Sequence, residues 1–307
     1  MPSFRPVPAA LAGVAFVAYM AARTHRLAVL LDPVARAEGL ARVPRRILWG
    51  SGLVSFWVLL VLPLRLGELS RPVIFDRCKV GTIRFAEVLS ATAVERVADG
   101  LTLCALLAAG IAGVSMDPAA ASATGRTMAS FAVLFLAGAV GLVWVAARPG
   151  SAGAVAARPF AAVGRADLAA RAAAVAHRVA ATVEVLADRR VAARFVAWTA
   201  AYWGLAVLYP WAVAHAVGYP LSAGGAAVVV GAIGLAIQLP GGPAQLGSFQ
   251  FGAAVALAAV GDATSDQAVA FVAALYALQI VGTAAAALAG LVILSWGRRA
   301  HGASAAS

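Results

Sequence analysis

The chain has 307 residues, of which 63% are hydrophobic and only 12% are charged. Soluble domains contain about 45–50% apolar and about 25% charged residues, and a soluble chain of this size needs a largely polar exterior. The composition therefore excludes an ordinary water-soluble protein and predicts that lipid surrounds the chain. The net charge of +11 is almost wholly arginine, because Lys79 is the one lysine. This favours anionic lipid headgroups over nucleic acid as partners, so we expect no nucleic-acid binding.

Seven apolar runs are candidate membrane helices, since about 20 residues cross the hydrocarbon core of a bilayer. In chain order they are 8–22, 47–64, 86–114, 127–147, 193–217, 223–239 and 267–296. We interpret the first run as a retained membrane helix that ends at Ala22 or extends to Leu31, because no clear cleavage site for a signal peptide follows it. The sequence therefore predicts an all-α fold, a polytopic transmembrane helix bundle.

Two segments that follow proline-ended helices predict re-entrant hairpins, at 65–84 and 241–260. Pro63 ends the helix before the first hairpin, and Pro240 and Pro243 lie at the turn that opens the second. Irregular backbone at membrane depth is tolerated only where protein or a water-filled cavity satisfies its polar groups. We therefore expect both breaks to line an internal polar crevice.

The two hairpins share Pro, Leu and Gly at an offset of 180 residues, which pairs Gly67 with Gly247. The same offset aligns residues 86–114 with residues 266–294. We expect the shared prolines and glycines to shape the breaks. Together with the arginine distribution, the offset predicts an inverted-topology repeat, in which substrate sites lie near the membrane midplane between the halves.

Arginine counts predict the orientation, because arginine-rich loops stay cytoplasmic. The stretches 23–46 and 148–194 hold six and eight arginines, and Arg298 and Arg299 follow the last helix. The opposite loops, 115–126, 218–222 and 261–266, hold one between them. We expect a bacterial-type cytoplasmic (inner) membrane, with the N-terminus outside and the C-terminus cytoplasmic. The hairpins then enter from opposite faces.

We predict a single transmembrane domain over 1–307. Its first half covers about 1–147, a cytoplasmic linker covers 148–192, the second half covers 193–296, and a short tail covers 297–307. Within the linker, apolar residues recur on one face of an amphipathic helix. They are Leu168, Val175, Val179, Val183 and Leu186. Such a helix either lies on the inner leaflet or is an ordinary connector, and both readings stay open.

Six charged residues lie in or beside the first hairpin and the long helix that follows it. They are Arg65, Glu68, Arg71, Glu95, Arg96 and Asp99. On the long helix, Thr92, Glu95, Asp99 and Thr102 follow spacings of three, four and three, which predicts one polar stripe with Arg96 at its edge. A charge facing lipid at the bilayer centre costs about 2.5–3.5 kcal/mol, so these side chains must face the interior. Their formal charges sum to zero. They therefore form either a closed ion-pair network or a site whose arginines exchange a carboxylate for a lipid phosphate, which guanidinium binds in the same bidentate way.

The second hairpin and the last long helix carry uncharged polar groups instead. They are Gln245, Ser248 and Gln250 in the hairpin, with Tyr276 and Gln279 on the helix. Such groups either bind headgroup atoms or join helices by hydrogen bonds, and the residues leave both roles open.

The segments P-L-R-L-G-E-L-S-R from position 63 and E-R-V-A-D from position 95 resemble paired signatures of the lysylphosphatidylglycerol synthase transmembrane, or flippase-like, family. These signatures are P-x-R-x-G-E-x-x-R and E-R-x-x-D. The segment 241–250 resembles the family's second signature, a Pro- and Gly-rich turn followed by L-G-x-x-E. The chain departs from the pattern at Ala244, Gln245 and Gln250, and around Tyr276, where the family has glycines, glutamate and arginine. The second half has thus lost charge.

The resemblance implies a membrane domain that moves a lipid between leaflets. In the family's best-known members this domain moves lysyl-phosphatidylglycerol and is fused to a soluble aminoacyltransferase. Only 11 residues follow Trp296, so we expect a stand-alone transporter-like module. We expect arginines 65, 71 and 96 to bind phosphate, and the three carboxylates to orient them or the lipid's amine.

Two other classes stay open. One is a non-catalytic membrane subunit that presents lipid to a partner glycosyltransferase or lipid synthase. The other is an integral-membrane lipid-modifying enzyme, which would usually need paired carboxylates around Mg²⁺. The sequence has no such acidic pairs, no metal-ligand spacing and no nucleotide-binding motif. We therefore expect a protein without metal or cofactor that binds anionic or aminoacylated phospholipids and is not an enzyme.

Overall fold

The structure is a computed structural model. It describes residues 4–37, 39, 42–80, 83–113, 118–238, 242–260 and 266–304, and within these ranges it leaves out the side chains of 63–65, 118–125, 127, 128, 131 and 297–304. In the described residues the regular elements are eleven α-helices and three short 3₁₀ turns, which confirms the predicted all-α class.

The helices are long and are joined mostly by short connections. In chain order they are α1 (Pro6–Ala37), α2 (Arg45–Val61), α3 (Ser70–Cys78), α4 (Phe85–Ala112), α5 (Pro118–Ala147), α6 (Pro149–Ala162), α7 (Ala166–Glu184), α8 (Arg189–Ala216), α9 (Ala223–Ala236), α10 (Ser248–Ala259) and α11 (Asp266–Ser304). The 3₁₀ turns are Pro63–Leu69, Val185–Ala187 and Pro243–Gln245. Asp188 and Ser222 cap α8 and α9, because each side chain accepts a hydrogen bond from a backbone N–H of the first turn.

Three helices are each long and apolar enough to cross a membrane: α1, α8 and the part of α11 over Asp266–Trp296. A fourth span results if Ala132–Ala147 and Pro149–Ala162, which are bent by 114° against each other, count as one. This is fewer than the seven apolar runs of the sequence. The helices α2 and α9 have only 17 and 14 residues, and α4 carries charges in its middle. The chain is a multi-pass membrane protein.

Helices α1 and α8 pack antiparallel along most of their length. The backbone N–H of Arg5 donates to the carbonyl of Ala216 at 2.9 Å. About four turns further along, the ring of Tyr19 on α1 stacks on that of Tyr202 with 4.6 Å between centroids, and their hydroxyls are 2.9 Å apart. These contacts join α1 to α8.

Both predicted hairpin segments pack against the helix before them. In the first, a Cβ on Gly67 would collide with the backbone of α2 at Leu59, so only glycine fits this close approach. In the second, a Cβ on Gly252 would lie 2.7 Å from the Cα of Ile233 in α9. Gly247 has φ +85°, a conformation that glycine adopts readily. Pro240 lies outside the described residues.

The linker folds as two helices, α6 and α7, which pack against each other. The predicted apolar face of the linker turns inward at its C-terminal end, because Val183 on α7 and Leu186 in the following 3₁₀ turn pack against a buried cluster built around Leu27 and Phe75. Arg178 on α7 forms an ion pair with Glu87 in the first turn of α4. The linker is thus attached to α4 and to the buried cluster.

Candidate functional site

An arginine from α1 forms the centre of a buried charge network. Arg26 is fully buried, and its Nη1 and Nη2 donate to Oδ1 and Oδ2 of Asp99 at 2.5 and 3.0 Å. Its Nε donates to Oε1 of Glu95 at 3.2 Å. The guanidinium also lies 4.7 Å from the ring of Tyr202. This bidentate fork ties α1 to the middle of α4 in an interior where unpaired charge is costly.

The network continues through Glu95 to α3. Arg71 is 1% exposed, and its Nη1 donates to Oε2 of Glu95 at 3.2 Å while its Nε donates to Oγ of Ser55 at 3.0 Å. Glu95 thus accepts from two arginines on different helices. The polar stripe predicted on α4 is confirmed in its buried part, since Thr92, Glu95 and Asp99 are at most 3% exposed.

Arg96 lies at the edge of this stripe. Its Nη1 is 3.5 Å from Oδ2 of Asp99, and its Nε is 3.9 Å from Oε1 of Glu68. Trp203 on α8 donates its indole N–H to Oδ1 of Asp99 at 3.2 Å. Five of the six predicted charged residues therefore meet around α4. The side chain of Arg65, the sixth, lies outside the described residues, as does that of Pro63.

Sequence reasoning missed Arg23 and Arg26. It assigned both to a cytoplasmic loop over 23–46, and this assignment was wrong. Helix α1 continues to Ala37, and the two arginines are 3% and 0% exposed inside it. The apolar residues that follow them, Leu27–Leu31, were the signal that the helix does not end at position 22.

A cavity of about 130 Å³ opens beside the network, between the two halves of the chain. Arg23, Arg96 and Asp99 line one side of it. Gln238, Gln245, Gln279 and Thr283 line the other side, together with apolar and aromatic side chains. The tertiary structure thus brings three charged residues of the first half of the chain and amides of the second half to one space, whereas Glu68, Arg71 and Glu95 do not line it.

Arginine N–H groups without a hydrogen-bond partner face this part of the protein. Among the described residues, the buried donors without a partner are Nε of Arg23, Nη2 of Arg71, and Nε and Nη2 of Arg96. Arg23 packs against the ring of Phe56 at 4.5 Å. A buried donor without an acceptor costs about 1–3 kcal/mol, and such groups usually have a water or ligand partner. Arg23 and Arg96 both line the cavity and can bind an anion there.

The polar residues of the second half divide into two groups. Gln279 donates its Nε2 to Oε1 of Gln245 at 3.3 Å, and both line the cavity. Tyr276 and Gln250 instead form hydrogen bonds with the backbone of the turn before α10. Tyr276 donates to the carbonyl of Ala244 at 2.8 Å, and Gln250 accepts the N–H of Gly247 at 2.9 Å. The structure does not bring Ser248, Gln250 or Tyr276 to the cavity wall.

The described residues contain no group of three or more His, Cys, Asp or Glu side chains placed to hold a metal ion. Of the two cysteines, Cys78 is exposed and Cys104 is buried. The polar groups among the described lining residues of the cavity are guanidinium, carboxylate, amide, hydroxyl and indole groups.

Comparison with known proteins identifies the family. The family model described as "Lysylphosphatidylglycerol synthase TM region" matches residues 2–297. Neither the curated proteins nor the solved structures gave a match. The matched region includes α1 to α10, most of α11, the charge network and both sides of the cavity. The chain belongs to the lysylphosphatidylglycerol synthase TM region family.

Proposed function

We propose that the protein translocates a phospholipid or a lipid-linked headgroup between the leaflets of its membrane, with the cavity as the headgroup site. One observation carries this proposal: two arginines with unpartnered N–H donors line an internal cavity of a multi-pass membrane protein. Intramembrane ionisable groups are costly, and they commonly mark a substrate pathway. Phosphate oxygens are the acceptors that these donors fit best.

The proposed architecture is an inverted repeat with two re-entrant hairpins, one in each half. The helix bounds support it. A shift of 180 residues carries α1 onto 186–217, α2 onto 225–241, α3 onto 250–258 and α4 onto 265–292, close to the observed α8, α9, α10 and α11. The helices α5 to α7 connect the halves.

Helix contacts support the same repeat. Gly110 in α4 and Gly290 in α11 are 180 positions apart in the sequence. A Cβ on Gly110 would lie 2.9 Å from the backbone N of Val228 in α9, and one on Gly290 would lie 2.8 Å from the carbonyl O of Gly50 in α2. The α4–α9 contact and the α11–α2 contact are thus equivalent under the shift, as an internal two-fold relation requires. Sites between such repeats are alternately opened to the two sides of the membrane.

The residues of the site have different roles in this proposal. Arg23 and Arg96 bind the phosphate, because their free donors line the cavity. Arg26 and Arg71 hold Glu95 and Asp99 in place and keep the surrounding charges compensated. Gln245 and Gln279 contact the headgroup from the opposite side. The transport involves no covalent change of the lipid, so the protein acts as a transporter and not as an enzyme.

The proposal is tested in proteoliposomes by following a fluorescent anionic phospholipid from one leaflet to the other. Val230 is half-buried on α9 and lines the cavity. The variant Val230→Trp fills the cavity and is expected to abolish most protein-dependent movement. Val133→Trp on the exposed face of α5 is the matched control and is expected to move lipid as the unmodified protein does.

Lipid movement that does not depend on the protein would reject the proposal. Lipid binding without movement would instead identify a subunit that presents lipid to a partner enzyme. A thermal unfolding scan of both tryptophan variants separates loss of transport from loss of folding.

The proposed orientation places the N-terminus outside and the C-terminus in the cytoplasm. It puts the exposed Cys78, at the end of α3 between Arg77 and Lys79, on the cytoplasmic side. A membrane-impermeant maleimide is expected to label the protein only after the cells are opened, and Cys78→Ser is expected to remove the label because Cys104 is buried. Labelling of Cys78 in intact spheroplasts would show that the protein has the opposite orientation.

A further inference from the structure

We infer that the headgroup bound in the cavity is an anionic phosphodiester with an uncharged hydroxyl-bearing group, such as glycerol, and not an aminoacylated group with a free ammonium. This inference rests on the proposed function, because it names the substrate class of the same cavity. It follows from the balance of charge around the cavity and from the hydrogen-bonding capacity that its lining residues leave free.

The described charges around the cavity leave one arginine in excess. Four arginines, at positions 23, 26, 71 and 96, face three carboxylates, at 68, 95 and 99. The surplus lies on Arg23, which forms no ion pair within 4 Å among the described residues and packs on Phe56 instead. A monoanionic phosphodiester compensates this surplus, whereas a headgroup with a net positive charge increases it.

Asp99 is the one carboxylate among the described lining residues, and its oxygens are already used. Arg26 donates to both of them, Trp203 donates to Oδ1, and Arg96 lies 3.5 Å from Oδ2. An ammonium group needs a carboxylate or several free acceptors to leave water. Among the described lining residues, the arginine side of the cavity therefore has available hydrogen-bond donors but no carboxylate available for an ammonium group.

The opposite side of the cavity is polar but neutral. Gln238, Gln245, Gln279 and Thr283 supply amides and a hydroxyl, which both donate and accept hydrogen bonds. Such groups fit the hydroxyls of a glycerol or sugar, which also donate and accept. They do not compensate the charge of an ammonium buried beside Arg23 and Arg96. The two sides together fit a phosphate joined to an uncharged polyol.

The experiment measures headgroup preference by binding and by transport separately. Binding is read from the thermal unfolding of the detergent-solubilised protein with short-chain phosphatidylglycerol, its lysyl ester, or water-soluble glycerol phosphate. Transport is read in proteoliposomes with the fluorescent forms of the two lipids. We expect phosphatidylglycerol to raise the unfolding temperature and glycerol phosphate to have little effect on it. The lysyl ester is expected to bind and to be transported at least about tenfold more weakly than phosphatidylglycerol, in line with the loss of one charge-assisted contact.

A charge variant tests the cause of the preference. Gln279→Glu places a carboxylate on the cavity wall and is expected to narrow the preference by strengthening binding of the lysyl ester and weakening binding of phosphatidylglycerol. Gln267→Glu, at an exposed position in the first turn of α11, is the matched control and is expected to change the binding of neither lipid.

Each outcome has a defined meaning for the two proposals. Binding or transport of the lysyl ester equal to or stronger than that of phosphatidylglycerol would overturn the inference. Glycerol phosphate that stabilises as strongly as the lipid would also overturn it, because the cavity would then take a free organic phosphate. Selective binding of phosphatidylglycerol without transport would reject the proposed function and support the headgroup preference.

Discussion

The variant Arg26→Met is expected to lower the free energy of unfolding by about 3–5 kcal/mol, because it leaves the buried charge of Asp99 without its main partner. The lost interaction is a buried one, because Arg26 and Glu95 are 0% exposed and Asp99 is 2% exposed. Glu95 retains Arg71 as a partner after the change. Unfolding of the detergent-solubilised protein, followed by heat or by denaturant, measures the effect.

Two further variants separate the loss of charge compensation from the loss of packing. The double variant Arg26→Met with Asp99→Leu removes both charges and is expected to recover most of the stability, since apolar side chains can replace a buried ion pair at little cost. Arg178→Met breaks the partly exposed pair with Glu87 and is expected to cost at most about 1 kcal/mol. An Arg26→Met protein as stable as Arg178→Met would contradict the central role of this network.

The variant Arg23→Gln is expected to slow lipid translocation roughly ten- to hundredfold, because it removes a charged donor whose contact with phosphate is worth about 1.5–3 kcal/mol. We expect little change in stability, since Nε of Arg23 has no hydrogen-bond partner to lose in the described structure. Arg23→Lys keeps the positive charge but loses the planar guanidinium, so its translocation rate is expected to lie between those of the unmodified protein and Arg23→Gln.

The control for this effect is Arg171→Gln, an exposed position on α7 that lies away from the cavity. It is expected to translocate lipid at the unmodified rate. Translocation by Arg23→Gln at that same rate would remove Arg23 from the phosphate site. A parallel fall in unfolding temperature would assign it a structural role instead.

Much of the helical architecture can be read from local sequence. The apolar run over 193–217 corresponds to α8, and the spacing of Thr92, Glu95 and Asp99 correctly placed them on one buried face of α4. Prolines 63 and 243 correctly marked the two breaks, since each begins a 3₁₀ turn. These features follow from residues close to one another in the chain, for which periodicity and helix-breaking chemistry are sufficient.

The composition of the site could not be read in the same way. Counting arginines assumed that α1 ends near position 22, and it therefore placed Arg23 and Arg26 in a loop. A 32-residue helix is about 48 Å long, longer than the hydrocarbon core, and the buried charge of Arg26 within it is compensated by partners elsewhere in the chain. Those partners, Glu95 and Asp99, lie about 70 positions away in the sequence.

The sequence by itself determined that the protein is helical and surrounded by lipid, and that charged residues of its first half must avoid that lipid. It also carried the motifs of the family. Only the tertiary structure decided which arginine is compensated and which is left over, and that Gln245 and Gln279 face Arg23 and Arg96 across one cavity. The reason is physical: periodicity defines which face of a helix is buried, whereas the partner of a buried charge is defined by how distant helices pack.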